Sequence, residues 1–401
     1  MNKLKKYALS SLYDMSSGIS STKEQAGHGS PFVSFSTVFN NYFLPDELPD
    51  LMDTSVKEQE IYSIKKGDIL ITRTSETIDE LAMSCVATKD YPGATFSGFT
   101  KRLRPKTEGI AYYKYMAFYL RSAWFRKAVT NNAFMTLRAS FNEDIFSFLN
   151  VYLPDYDVQV RIGDFLYSIE QKIDVNKRIC VELEDMAKTL YDYWFTQFDF
   201  PNANGEPYRS SGGKMEWNEQ LKREIPKKWD ISTIGNILTK VPNTTRIQTG
   251  EYLKTGHIPI IDQSTDYIAG YTNDETAVLA SDAGYVVFGD HTRIVKYIRF
   301  PFARGADGTQ VLKSNTPCVP DELLYQIVKN VDLSNYGYAR HFKFLKDTLS
   351  VIPNETVAKK YTQIVAPIHD KQVQLTFENV ELTKLRDWLL PMLMNGQATV
   401  E

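Results

Sequence analysis

Two stretches of this chain repeat apolar residues at helical spacing over many turns. From about Asp157 to Thr196, after Leu153-Pro154, Ile162, Leu166, Ile169, Ile173, Ile179, Leu183, Met186, Leu190 and Trp194 follow a helical period. Charged residues such as Glu170, Lys172, Asp174, Arg178, Glu184 and Lys188 fill the intervening faces. From about Glu355 to Leu390, after Ile352-Pro353, the series is Ile364, Ile368, Leu375, Leu382, Leu385 and Leu389. Pro367 predicts an early kink in this second helix. Pro391 predicts its end or a bend, because the ring removes an amide donor and crowds the preceding turn. Gly396 is placed to terminate it.

The two stretches align at one constant offset of about 199 positions: Pro154 with Pro353, Ile169 with Ile368, Lys172 with Lys371, Glu182 with Glu381, Leu183 with Leu382 and Leu190 with Leu389. An ungapped run of this length indicates an internal duplication. Weaker echoes precede each helix in the same order. Gly27-His28-Gly29-Ser30-Pro31-Phe32 is echoed by Gly256-His257-Ile258-Pro259-Ile260. Gly67-Asp68-Ile69-Leu70-Ile71-Thr72 is echoed by Gly284-Tyr285-Val286-Val287-Phe288-Gly289. Ser97-Gly98-Phe99-Thr100-Lys101 is echoed by Asp307-Gly308-Thr309-Gln310-Val311. The middle pair reads as a turn feeding a buried strand. Helical spacing over Tyr112 to Ala128 predicts one further helix. The fold class is therefore α+β, with two similar reader domains and two long helices as a pseudo-twofold internal repeat. The predicted boundaries are reader one at 1–155, helix one at 156–198, linker at 199–228, reader two at 229–354, and helix two with the C-terminal tail at 355–401. PNANGEP and RSSGGK mark the linker as flexible.

Composition narrows the class. Hydrophobic residues at 43% and charged residues at 24% are those of a soluble globular protein. The 13% aromatic content favours sheet-rich domains over an all-helical protein. A net charge of −3 argues mildly against nucleic-acid binding but does not exclude a local basic face. The cysteines, Cys85, Cys180 and Cys318, are far apart and form no CxxC pair, so neither a disulfide framework nor a zinc site is expected. No apolar run reaches transmembrane length, and a cytoplasmic location is expected. The phosphate loop, the dinucleotide turn, the [DNS]PP[YFW] methyltransferase motif and the GxSxG elbow are all missing. A duplicated chain without any of these is expected to bind rather than catalyse, and no metal is expected.

Three loops in each half carry hydrogen-bonding and cationic side chains suited to base edges and phosphates. In the first half these are Arg73, Thr74 and Ser75 after the DILI strand; Ser97, Phe99, Lys101 and Arg102; and Arg138. Arg102 and Arg104 would share a strand face, as a phosphate clamp or as the solvated side of an edge strand. In the second half they are His291, Thr292, Arg293 and Lys296 after YVVF; Arg304 and Asp307; and Tyr338, Arg340, His341 and Lys343, where aromatics alternate with cations. Each loop has a plainer reading as well. Asp290 and Arg293 could simply pair across a hairpin, the Gly305–Gly308 segment could be a β-turn, and the last loop could pack on the helix. Lys101 is the expected phosphate contact and Arg293 the expected base reader.

The segments LPDYDVQVRIGDFLYSIEQKIDVNKRICVELEDMAKTLYDYWF and VELTKLRDWLLPMLMNGQATV, with FSGFTKRLRP, FGDHTRIVKY and GADGTQVL, resemble the specificity subunits of type I restriction-modification systems. The resemblance spans essentially the whole chain. It implies two target-recognition domains, each reading half of a bipartite, interrupted site on double-stranded DNA, separated by two long antiparallel helices as a coiled-coil spacer. It implies two copies of an adenine-N6 methyltransferase subunit as partners, and a restriction and translocase subunit. S-adenosylmethionine, ATP and Mg are then expected on those partners, with no cofactor on this chain and no membrane. Docking would use outward helix positions, for which Met186, Leu190, Trp194, Leu385 and Leu389 are the candidates; Met186 and Trp194 could equally face the sister helix, and Ile179 is assigned to the helix pair. About 35 helical residues at roughly 1.5 Å each span on the order of 50 Å, more than one turn of B-DNA at about 34 Å. A coiled-coil scaffold, a stand-alone DNA-binding protein and a nuclease with an unrecognised site are the alternatives.

Overall fold

A computed structural model of the chain describes residues 4–75, 80–132, 139–305, 307–337 and 340–400. The chain divides into two compact units. One comprises Met1–Asp174 with Asn379–Glu401, the other Val175–Glu378.

In the first unit, strands β1 (Ala26–Val33), β2 (Ile69–Thr72), β3 (Thr95–Phe96) and β4 (Thr100–Pro105) form the reader. All four residues of β2 are buried, because it lies between β4 and Ser84–Val86. β2 and β4 run antiparallel, with Ile69 opposite Leu103 and Thr72 opposite Thr100. β1 and β3 run parallel, with Val33 opposite Phe96. Helix α1 (Tyr156–Tyr191) follows, closed by a π turn over Asp192–Thr196.

The second unit repeats this wiring with β5 (Ile258–Ile261), β6 (Tyr285–Gly289), β7 (Phe302–Arg304) and β8 (Thr309–Leu312). β6 is the fully buried central strand, and it runs antiparallel to β8 with Val286 opposite Leu312 and Gly289 opposite Thr309. β5 and β7 run parallel, with Ile261 opposite Arg304. Taking Ile69 as the counterpart of Val286, the ladders make Thr100 the counterpart of Thr309. The sequence echo had set Phe99 there, one residue out. A one-residue slip exchanges the two faces of a strand, so the correction matters for the loops below. Helix α2 (Glu355–Met394) completes the repeat.

The two helices pair antiparallel within each unit. In the first, Arg386 bridges to Glu170 and Asn379 Nδ2 donates to the Ile173 carbonyl at 3.2 Å. In the second, Asn176 Nδ2 donates to Glu378 at 3.0 Å, Gln372 Nε2 to the Cys180 carbonyl at 3.0 Å, and Tyr361 Oη to the Ala187 carbonyl at 3.5 Å. As the α1 number rises, the α2 number falls. Ile162, Leu166, Leu390 and Leu393 join the first unit's core, while Ala187, Trp194, Tyr361 and Val365 join the second's.

Four expectations are corrected. α2 runs on through Pro367 and past Pro391. One missing amide is a small loss in a 40-residue helix whose neighbouring turns are held by buried Val365 and by Ile368 against the core. Gly396, at φ +76°, does end it. The span from Tyr112 to Ala128 is two helices, Tyr113–Tyr119 and Ala123–Asn132, divided where Ser122 Oγ accepts the Phe125 amide. The linker is packed rather than flexible, since Phe200 stacks on Tyr208 and Trp229 at 4.6 and 4.9 Å, and Met215–Asn218 pairs with Arg223–Pro226 as a hairpin around buried Ile225. Ile179 is exposed rather than enclosed by the helix pair. Among the described residues no helix is long and apolar enough to cross a membrane.

Candidate nucleic-acid interface

In the second unit the three loops picked out by sequence meet in one place. The turn after β6 is organised by Asp290, which is 4% exposed. Its amide donates to the Gly308 carbonyl at 2.7 Å, and its carbonyl accepts the His341 amide at 2.9 Å. Its carboxylate accepts the Phe342 amide at 2.8 Å, at the start of the short helix Phe342–Asp347. Gln263, just beyond β5, closes the other side. Its Oε1 accepts the His291 amide at 3.2 Å, its carbonyl accepts Thr292 Oγ1 at 2.7 Å, and its Nε2 donates to the Asp307 carbonyl at 3.0 Å. Gly308 is required here. It sits at φ +82°, and a Cβ would lie 2.5 Å from Gln263 Nε2 and 2.8 Å from His291 Cδ2.

This frame leaves His291, Thr292, Arg293, Asp307, Arg340 and Lys343 exposed around one cluster. Arg293 holds φ +61° and donates to the Leu333 carbonyl at 3.2 Å, so it does not pair with Asp290. Two candidates point inward and are corrected. Lys296 is buried, donating to the Asp266 carbonyl with Asp262 at 3.9 Å, and burial lowers its pKa. His341 is 3% exposed, with Nδ1 2.9 Å from the Asp290 carbonyl and Nε2 3.0 Å from the Tyr336 carbonyl. Tyr338 lies outside the described residues, as does Arg138 in the first unit.

The first unit has the matching convergence. The Arg73 amide donates to the Phe99 carbonyl at 2.8 Å, and the Arg73 carbonyl accepts the Phe141 amide at 2.7 Å. These are the bonds Asp290 makes with Gly308 and His341. Thr74 and Ser75 pair with Ser140 and Ala139. Ser97 is buried, its Oγ accepting the Phe99 amide at 3.2 Å, whereas Arg73 and Phe99 are exposed, Phe99 to 63%. The cations of β4 turn inward and correct the phosphate-clamp reading. The Lys101 side chain is 6% exposed and pairs with Glu143 at 2.9 Å. That ion pair, with the Glu143 backbone amide, holds the Glu143 carboxyl below its usual range. Arg102 donates to the carbonyls of Ser63 and Ile61 and lies over the Phe96 ring. Arg104 does share its face, reaching the same Ser63 carbonyl, and grips Asp68 through two nitrogens at 2.6 and 2.8 Å.

On the helices, Met186 and Leu385 are exposed. Leu190 and Leu389 are partly buried against the cores. Trp194 is 4% exposed and packs on Tyr361, which removes it as a docking residue. Sequence reasoning missed Gln263 and undervalued Asp290. A polar run straight after an apolar strand, Asp262-Gln263-Ser264-Thr265-Asp266, was the available signal for the first. Among the described residues no group of three metal-ligating side chains occurs.

Two readers of one wiring, each presenting a three-loop cluster, define a duplicated recognition protein. A family model for the type I restriction modification DNA specificity domain matches residues 3–185. The MjaIX specificity subunit of Methanocaldococcus jannaschii is 23% identical over 88% of this chain and 82% of its own length. The HindI specificity subunit of Haemophilus influenzae is 22% identical over 91% of this chain and 94% of its own. The solved S subunit of a type I restriction-modification system from M. genitalium shares the fold, with a TM-score of 0.57 at 15% identity over 98% of this chain and 96% of that one. Residues 3–185 match the type I restriction modification DNA specificity domain, and the chain as a whole is similar to the specificity subunits of type I restriction enzymes.

Proposed function

We propose that this chain reads a bipartite, interrupted DNA site, one half-site per reader, for a methyltransferase and a restriction subunit that assemble on it. One observation supports this above the rest: equal backbone wiring carries unequal side chains. Arg73 and Asp290 hold the same position between two loops, as do Phe99 and Gly308. A duplicated frame with diverged tips suits two half-sites of different sequence. The helices then set the half-site spacing, α1 alone extending roughly 54 Å at 1.5 Å per residue. Exposed Met186 and Leu385 are docking positions for two copies of an adenine-N6 methyltransferase subunit. S-adenosylmethionine, ATP and Mg act on the partners, and the complex works in the cytoplasm on double-stranded DNA, with the target adenine flipped out for methylation.

The test is selection from a genomic DNA library by the chain assembled with its methyltransferase partner. Recovery of one split sequence is the expected result. Recovery of fragments without any shared split sequence rejects the reading.

A further inference from the structure

The two readers differ most in chemistry where their wiring is most alike. In the first, the Ile19 amide donates to the Phe96 carbonyl at 2.9 Å and the Ser97 amide to the Val33 carbonyl at 3.0 Å. In the second, the Ile247 amide donates to the Arg304 carbonyl at 3.1 Å and the Gly305 amide to the Ile261 carbonyl at 2.9 Å. The matching parallel bridges are Ile19 to Ser97 and Ile247 to Gly305. Arg304 therefore stands where the first reader has Phe96, and Arg246 where it has Gly18.

In the first reader this place is filled by an aromatic ring, and the cation over that ring, Arg102, is already held by the carbonyls of Ser63 and Ile61. Phe96 is fully buried, and a Cβ on Gly18 would lie 2.2 Å from the Ser97 carbonyl oxygen. In the second reader the same place holds two guanidinium groups. The Arg304 Nε is buried without a hydrogen-bond partner. Burial lowers the Arg304 pKa, and the nearby charge of Arg246 lowers it further. Arg246 is exposed. A buried donor without an acceptor is costly, and two like charges side by side add to that cost. An anion between them would relieve both. Arg304 ends β7 and leads directly into the Gly305–Thr309 loop, whose Asp307 and Gly308 belong to the reading cluster.

We propose that Arg246 and Arg304 form a phosphate clamp on the DNA backbone that is present in the second reader and absent from the first. Its ligand is one phosphodiester, gripped by the planar guanidinium forks. The inference rests on the DNA-reading function above and adds an asymmetry to it: the second half-site carries a backbone anchor that the first half-site lacks.

The test uses the full chain in its methyltransferase complex, measuring affinity against salt for the selected target and for an unrelated duplex. The variants are Arg246→Gln, Arg304→Gln and the pair. Loss of one phosphate contact lowers the slope of log affinity against log salt by about 1. The double variant is expected to show that loss and to weaken both duplexes by the same factor, while Arg246→Lys keeps the wild-type slope. Exposed Arg246 tolerates glutamine without a folding penalty, so this single variant guards against misfolding of the Arg304 variants. Unchanged slopes in all glutamine variants overturn the clamp, as does a change of base preference with slope intact. A wild-type complex without salt-dependent DNA affinity overturns the DNA-reading function itself.

Discussion

His341 places both its backbone amide and its imidazole Nδ1 2.9 Å from one acceptor, the carbonyl of Asp290. With the Asp290 carboxylate on the Phe342 amide at 2.8 Å, the loop after β6 is pinned at both ends of one residue. Substitution of Asp290 by alanine strands a partly buried amide at the start of a helix. The expected cost is about 1–3 kcal/mol of stability, with DNA preference at the second half-site lost and the first half-site unaffected. Chemical denaturation and half-site competition measure the two effects. Wild-type stability in the variant would show that the pin is not structural.

Arg293 combines exposure with a left-handed backbone at φ +61°. Arg293→Gly relieves a backbone strain of about 1 kcal/mol, partly offset by the freedom glycine gains in the unfolded chain. Stability should stay near wild type. If the guanidinium reads a base, both Arg293→Gly and Arg293→Ala lose about 1–3 kcal/mol of discrimination at one base position. Affinities for a panel of single-base target variants decide this. A uniform loss across the panel would make Arg293 a backbone contact instead.

Much of this architecture was legible in the sequence because period and offset are properties of the chain itself. The 199-position offset located both long helices, and the Gly67 and Gly284 turns located both central strands. The loops were harder. A cation in a sequence gives no direction, and β4 turns Lys101 and Arg102 onto carboxylate and carbonyl acceptors supplied by Glu143, Ser63 and Ile61, residues about 40 positions away. Trp194 failed for the same reason. Its helical position left both the sister helix and a partner open, and Trp194, within the π turn over Asp192–Thr196, packs on Tyr361 of the sister helix. Proline at 367 predicted a local break that packing on both sides overrules.

The Lys101 ion pair carries a pH signature. The folded-state pKa of Glu143 lies below its unfolded value, through the Lys101 hydrogen bond first and then the backbone amide. The contribution of Glu143 to stability is therefore complete above the unfolded carboxyl range, and it is lost as pH falls through the folded value. Glu143→Gln should flatten this part of the acid-side decline in stability while leaving Lys101 buried beside a neutral acceptor. Denaturation curves between about pH 3 and 7 test the sign. An acid limb identical to wild type would mean that the pair is screened by the solvent around Glu143, whose side chain is 75% exposed.

The helix pair offers the last test. In the first unit, Arg386 and Glu170 form an ion pair whose side chains are 12% and 17% exposed, and the guanidinium also lies 4.8 Å from the Tyr42 ring centre. Removing one partner of so enclosed a pair leaves a desolvated charge behind, at an expected cost of about 3 kcal/mol. Arg386→Ala should show it in full and Glu170→Ala less, because Asp387 also pairs with Arg386 at 2.7 Å, and the double variant should cost less than the two together. Arg386→Lys should not restore the loss, because an ammonium group lacks the planar face that meets Tyr42. Replacement of both by apolar side chains, Arg386→Met with Glu170→Leu, should recover most of the stability, since burying two charges costs nearly what their attraction returns. Urea denaturation of the five variants separates these terms. Single-variant losses under about 0.5 kcal/mol would put the pair among ordinary surface contacts and leave the apolar residues Leu166 and Leu390 to hold this end of the helix pair.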